Sequence, residues 1–245
     1  MSRVWIGTSG WTYDGWRGPF YPEDVAKKRW LAWYSTQFPS TEINGSFYRT
    51  PSLEAVEAWR DQTPDEFLFA WKASKFITHW KRLTESCANS IELMESRLKM
   101  LGPKLGPVLF QLPARFKADR ERLASFLKML PKRRRYAFEF RDASWYEEPI
   151  FKLLRDRNVS LCLSDHIDAP APWEVTADHV YVRGHGPTGQ YHGRYPLKTM
   201  REWAATIARW KRKKLDVYCY FDNDQKSAAP KDAKRLMDLL SRQVK

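Results

Sequence analysis

The chain is short of the features that usually announce a chemistry. Its three cysteines, Cys87, Cys162 and Cys219, are too few and too scattered for a disulfide framework or a thiolate metal site. No apolar run approaches the ~18–20 residues of a membrane-spanning helix, so no membrane partner is expected. The opening MSRVWIGTSGW has no apolar core of a secretory signal. Together these absences lead to the expectation of a reducing, cytoplasmic setting. There are five histidines and no HxH or HExxH spacing among them. His79, His166 and His185 follow different apolar runs, yet nothing in their spacing calls for a protein-ligated metal, and no cofactor is indicated. No GxSxG elbow surrounds Ser9 or Ser46. Gly7-Thr8-Ser9-Gly10 lacks the spacing of a dinucleotide-binding loop. No linker, repeat or low-complexity segment interrupts residues 1–245, which are read as one domain.

What is abundant is positive charge and aromatic surface. Lys and Arg number 42 against 29 Asp and Glu, a net charge of +13. Such an excess attracts polyanions and steers anionic ligands. Aromatics make up 15% of the chain, with twelve tryptophans, and 43% is hydrophobic, which excludes a disordered chain.

Eight short β-branched or aromatic runs organise the chain: 4–7, 41–44, 67–72, 108–111, 136–140, 159–163, 179–183 and 217–221. Helical stretches fit most gaps, over 23–38, 52–62, 84–101, 119–130, 146–157, 197–213 and 231–244. The gap 165–178 carries two closely spaced prolines, Pro170 and Pro172, and no full helix is expected there. Eight strands alternating with helices over about 250 residues is the count of a single-domain α/β (β/α)8 TIM-like barrel, lacking a full helix between strands 6 and 7. The densest basic runs, Lys132–Arg135 and Lys211–Lys214, each precede a strand, which puts them at the N-terminal face of such a barrel.

Active sites of parallel barrels lie at the C-terminal strand ends, and every run here closes in polar residues. Residues two apart on a strand share a face. Glu42 and Asn44 therefore share one face, as do Ala137, Glu139 and Arg141, and Tyr181, Arg183 and His185. Phe138 and Phe140 face the helices. Buried charges need partners, and Arg141 or Lys72 for Glu139, and Arg49 or Arg183 for Glu42, are the natural ones. On this basis Glu42, Glu139 and Asp165 are the candidate catalytic residues. Trp11, Asn44, Arg49, Lys72, Gln111, Arg141, Arg183, His185 and Asn223 are the candidate substrate-binding residues. Glycines flanking His185 suggest a tight loop near a ligand.

The motifs Gly7-Thr8-Ser9-Gly10-Trp11, Glu42-Ile43-Asn44 with Phe47-Tyr48-Arg49, Lys72 with Ile77-Thr78-His79, Phe110-Gln111-Leu112-Pro113, Glu139-Phe140-Arg141, Ser164-Asp165, Tyr181-Val182-Arg183-Gly184-His185-Gly186 and Tyr220-Phe221-Asp222-Asn223 occur in order along nearly the whole chain. In this the sequence resembles the YecE-like family, domain of unknown function seventy-two. The resemblance implies a TIM barrel without an established activity.

The expected function is binding of an anionic ligand, phosphorylated or nucleic acid, at the C-terminal mouth, with acid/base hydrolytic chemistry from the carboxylates. A non-catalytic nucleic-acid or nucleotide binder, and a sugar or small-acid enzyme using paired carboxylates, are the alternatives.

Overall fold

Alternation of β-branched or aromatic runs with amphipathic stretches becomes eight parallel strands wrapped by helices. The structure is a computed structural model and describes residues 2–242. The chain runs β1 (Val4–Thr8), α1 (Trp30–Gln37), β2 (Ser40–Ile43), α2 (Gly45–Tyr48), α3 (Leu53–Asp61), β3 (Leu68–Lys72), α4 (Ala88–Leu101) and β4 (Leu105–Gln111). It continues with α5 (Arg120–Met129), β5 (Tyr136–Glu139), α6 (Glu148–Asp156), β6 (Ser160–Ser164), β7 (His179–Gly184), α7 (Leu197–Arg212), β8 (Asp216–Phe221) and α8 (Ala228–Arg242). No helix is long and apolar enough to cross a membrane among the described residues.

Local chemistry sets several boundaries. Ser52 caps α3 by accepting from the Ala55 amide at 3.2 Å, and Asp119 caps α5 through the Arg122 amide at 2.9 Å. The helix expected from Glu23 begins only at Trp30. Residues before it are spent on an aromatic loop in which Tyr21 stacks on Trp30 with centroids 4.4 Å apart. The sixth helix starts at Glu148, not Tyr146, and the last at Ala228, not Lys231. The expected end of that last helix, Val244, lies outside the described residues. Between β6 and β7 there is no helix, as the prolines imply.

The strands form one sheet in the order β1-β8-β7-β6-β5-β4-β3-β2, every pair parallel. The ring closes between β1 and β2 through a single backbone bridge, Ser9 to Glu42. Along that seam Tyr34 of α1 does the work of a ladder: its hydroxyl receives the Thr8 amide at 2.8 Å and donates to the Ser40 carbonyl at 3.2 Å. Gly7 is required there, because a Cβ would lie 1.9 Å from the Ser40 carbonyl oxygen.

Inside the barrel, Ala70, Leu109, Ala137, Cys162, Tyr181, Tyr218 and Tyr220 form a separate apolar cluster. Tyrosines from β7 and β8 thus fill the space left by small residues on β3, β5 and β6. Phe138 and Phe140 belong to the outer core, with Phe138 5.1 Å from Phe110 and 6.2 Å from Phe126 of α5. The register read from alternation is the one observed.

Candidate functional site

Two residues beyond each inner apolar position, the next inward residue is polar on strand after strand: Lys72 after Ala70, Gln111 after Leu109, Glu139 after Ala137, Ser164 after Cys162, Arg183 after Tyr181 and Asp222 after Tyr220, with Glu42 of β2 two residues beyond the buried Ser40. The C-terminal mouth is therefore floored by a polar layer resting on an apolar one.

Arg183 is the hub of that layer and is fully buried. Its Nη1 donates to Glu139 Oε2 at 2.7 Å, and its Nη2 donates to Glu42 Oε1 at 2.9 Å and Asp222 Oδ2 at 2.8 Å. Glu42 also accepts from the Ser9 hydroxyl and, at 2.6 Å, from the Tyr181 hydroxyl. Arg141 grips the other side of Glu139, its Nε donating to Oε1 at 2.7 Å. Burial pushes the Glu139 carboxyl up, but Arg141, Arg183, His185 and Lys72 outweigh it and hold the group well below the ordinary carboxylate range. Glu139 is an ionised strut and not a proton donor at neutral pH. Glu42 has both oxygens occupied, by Ser9 and Arg183 on Oε1 and Tyr181 on Oε2.

His185 closes the network. Its Nε2 receives Arg141 Nη2 at 3.2 Å and Arg183 Nη1 at 3.1 Å. Two donors on one nitrogen require the ring proton on Nδ1, facing Asp165 Oδ1 and Ser164 Oγ, each at 3.3 Å. Asp165 also accepts the His185 amide at 2.7 Å and the Tyr195 hydroxyl. It orients the histidine and is not presented to the mouth as a free carboxylate. The tight loop is real, since Gly186 has φ +94° and a Cβ there would sit 2.2 Å from the His192 carbonyl oxygen. Gly186 thus lets backbone pack on backbone, and Gly184 makes room for the side chains of Tyr195, Phe221 and Trp203.

Lys72 stands apart. It is buried, yet among the described residues it forms no ion pair. Its Nζ donates to Asn44 Oδ1 at 3.2 Å and lies 4.5 Å from the centre of the Phe47 ring. Burial, then the charge of Arg183, brings its amine down to about 8. His79 is brought down to about 4 by burial and then by Lys72, Arg141, Lys75 and Arg82, so it is neutral at physiological pH. Around Lys75, the Tyr48 and Trp80 rings are exposed, and the ammonium lies 5.6 Å from each.

A family model described as "Protein of unknown function DUF72" matches residues 5–245. The chain belongs to the DUF72 family. It is 26% identical over 270 aligned residues to the UPF0759 protein YunF of Bacillus subtilis, covering 97% of this chain and 94% of YunF. It is 28% identical over 231 residues to the UPF0759 protein YecE of Escherichia coli, covering 84% of this chain and 82% of YecE. A crystal structure of a DUF72 family protein from Thermotoga maritima matches with a TM-score of 0.86 at 25% identity, over 98% of this chain and 99% of that one.

In this DUF72 chain the remaining expected residues divide. Gln111 reaches the mouth half-buried, with only a long 3.5 Å contact to the Leu112 carbonyl. Arg49 does not pair with Glu42: the helical turn of α2 breaks the strand alternation and leaves it exposed. Asn223 turns away, donating to the Gly193 carbonyl at 2.7 Å and Asp232 Oδ2 at 3.0 Å, so it ties β8 to α8. Trp11 is buried against Trp59 and Phe69 and walls a cavity of about 260 Å³ beside Asn44, which leaves no open face for stacking. Among the described residues no three His, Cys, Asp or Glu side chains are grouped to hold a metal ion. Sequence reasoning passed over Tyr181, Tyr191 and Tyr195. Tyr181 carried a signal, standing two residues before Arg183. Tyr191, which receives Arg141 Nη1 at 3.0 Å, and Tyr195 carried none, coming from a loop without periodicity.

Proposed function

We propose that this DUF72 protein binds and acts on a small anionic substrate at the C-terminal mouth, on the side of β3 and β5. The observation that carries the reading is the imbalance there. Lys72 at the end of β3, and Lys75 and Arg82 in the segment after it, have no ion-pair partner among the described residues, while Glu42, Glu139 and Asp222 of the floor are already engaged by a guanidinium. Cations without ion-pair partners at the edge of a half-buried mouth attract anions more strongly than the same charges in water. The acid/base role expected of Glu42 and Glu139 passes to groups that are not locked in ion pairs.

The basic runs contribute little to this. Lys211, Arg212 and Lys214 surround a hollow with Ser2 and Asp216 at the opposite end of the barrel. Arg134 is paired with Glu95 at 2.8 Å and Arg135 with Asp216 at 2.7 Å. Titration calorimetry with inorganic pyrophosphate at about 0.1 M salt tests the placement. Lys75→Glu should weaken binding at least about tenfold. Reversing Lys211 to Lys214 to Glu should change it by no more than a factor of about three, because a field across the barrel is screened within ~10 Å at 0.1 M salt. Collapse of binding in the second variant, or none in the first, would move the site away from the mouth.

One observation favours a second reading. Exposed Tyr48, Trp80 and Phe76 around Lys75 form a platform on which bases of single-stranded nucleic acid could stack. On that reading the logarithm of the affinity for an oligonucleotide falls against log salt with a slope of about −0.7 per phosphate contacted.

A further inference from the structure

We propose that the Lys72 amine is a nucleophile that forms an imine with an aldehyde or ketone carried by the anionic substrate. This rests on the reading of the mouth as an anion site and adds the chemistry of the bound molecule.

The argument is one of position and partners. Lys72 ends β3 and projects into the polar layer with 5% of its surface exposed. An ammonium buried to that degree ordinarily has a carboxylate against it. Three carboxylates share its layer, Glu42, Glu139 and Asp222, and all three are bound to Arg183 instead. What Lys72 has is one amide oxygen, Asn44 Oδ1, and the face of Phe47. Neither partner carries a counter-charge, so deprotonation of the ammonium breaks no ion pair and leaves an amine that gives one hydrogen to Asn44 and keeps its lone pair for the mouth. Burial and the neighbouring Arg183 favour the same neutral form. A structural lysine would gain nothing from this arrangement, whereas a nucleophilic one needs it.

The same layer supplies the rest of the site. Lys75 and Arg82 follow β3 and supply charge for the substrate's carboxylate or phosphate, and the His79 ring, 5.1 Å from the Phe47 ring on which Lys72 also rests, is neutral and adds no repelling or competing charge. In the step itself the Lys72 ammonium first loses a proton. The amine nitrogen then attacks the carbonyl carbon, a C–N bond forms, and a proton moves from nitrogen to the carbonyl oxygen to give a carbinolamine. Loss of that hydroxyl, combined with the proton shed at the start, releases one water and leaves a protonated imine. No oxidant, reductant or metal is needed, and the imine becomes an electron sink for bond breaking at the adjacent carbon.

Reductive trapping tests it. The full chain is incubated at pH 8 with glyoxylate, pyruvate or dihydroxyacetone phosphate, sodium cyanoborohydride is added, and the adduct is located by peptide mass spectrometry. The expected result is a secondary amine on Lys72, at least about tenfold over any other lysine, and suppressed by pyrophosphate. Lys72→Arg, which keeps the charge, and Lys72→Met should both abolish it, with circular dichroism showing that each variant is folded. Labelling spread over surface lysines, or none at Lys72 with all three probes, overturns the imine. Pyrophosphate binding that survives such a failure leaves the anion site standing alone. Trapping at Lys72 in a protein whose pyrophosphate affinity ignores Lys75→Glu keeps the imine and discards the anion site as placed.

Discussion

Arg183→Met should destabilise the barrel by about 3–5 kcal/mol, because it leaves Glu42, Glu139 and Asp222 buried with their shared counter-ion gone. The floor of the mouth now balances three carboxylates, Glu42, Glu139 and Asp222, against Arg183, Arg141 and Lys72, all of them buried. The loss should depend on pH in a reversed sense. In the native protein the Glu139 carboxyl lies below its ordinary 4.5, so its contribution is fully present above that value and fades as the pH falls through the depressed one. Without Arg183 the buried carboxyls bind protons more readily in the folded state than in the unfolded one, so the variant should regain stability as the pH is lowered from 8 towards 5. Urea unfolding across that range reads both effects. Arg183→Met with Glu42→Gln should recover part of the loss, since one orphaned charge is removed with the cation. A single-variant loss below about 1 kcal/mol would mean the carboxylates find water or other partners, and the hub would not be one.

Phe140→Ala should cost about 3–5 kcal/mol for a different reason, the cavity left under α6. Phe140 is fully buried and lies parallel to Trp145, with centroids 4.7 Å apart and planes 3° from parallel. Trp145 is itself pinned by its indole N–H to the Phe116 carbonyl at 2.6 Å, so it cannot easily move into the gap. Phe76→Ala, at a ring 36% exposed, should change stability by less than about 1 kcal/mol. Equal effects of the two substitutions in urea unfolding would show that the outer aromatic layer is not what holds the strands against the helices.

Phe140 and Glu139 also show why much of this molecule could be read from its sequence. On a strand, the side of the sheet is decided locally, so adjacent residues with opposite chemistry declare the register without knowledge of the rest of the chain. That logic placed Glu42, Lys72, Glu139 and Arg183 in one layer. It gives no pairing within the layer. Arg183 could as well have served one carboxylate as three, and which guanidinium meets which acid depends on strand order and side-chain length across the barrel. Alternation also stops where the strand stops. Arg49 lies beyond a helical turn and Asn223 one residue past the inward Asp222, and both point elsewhere. Tyr191 and Tyr195 reach Arg141 and Asp165 from a loop held by its own backbone contacts, for which no periodic pattern exists. The densest basic runs could be placed as well: each precedes a strand, and both sit at the far end from the mouth.

The junction of β1 and β2 carries a consequence for motion. Elsewhere each strand is stitched to its neighbour by a ladder that must break cooperatively, but here one backbone bridge, Ser9 to Glu42, is helped by side chains, Tyr34, the Thr41 hydroxyl on the Thr8 carbonyl and the Ser9 hydroxyl on Glu42. Thermal breathing of the ring is least costly where the fewest bonds open together. Ser9 donates to Glu42, and Glu42 anchors Arg183, so a fluctuation that parts these two strands loosens the hub before any ladder yields. The electrostatics of the mouth and the slow dynamics of the barrel are thus governed at one place, and a ligand that settles over Ser9 and Glu42 would quiet both.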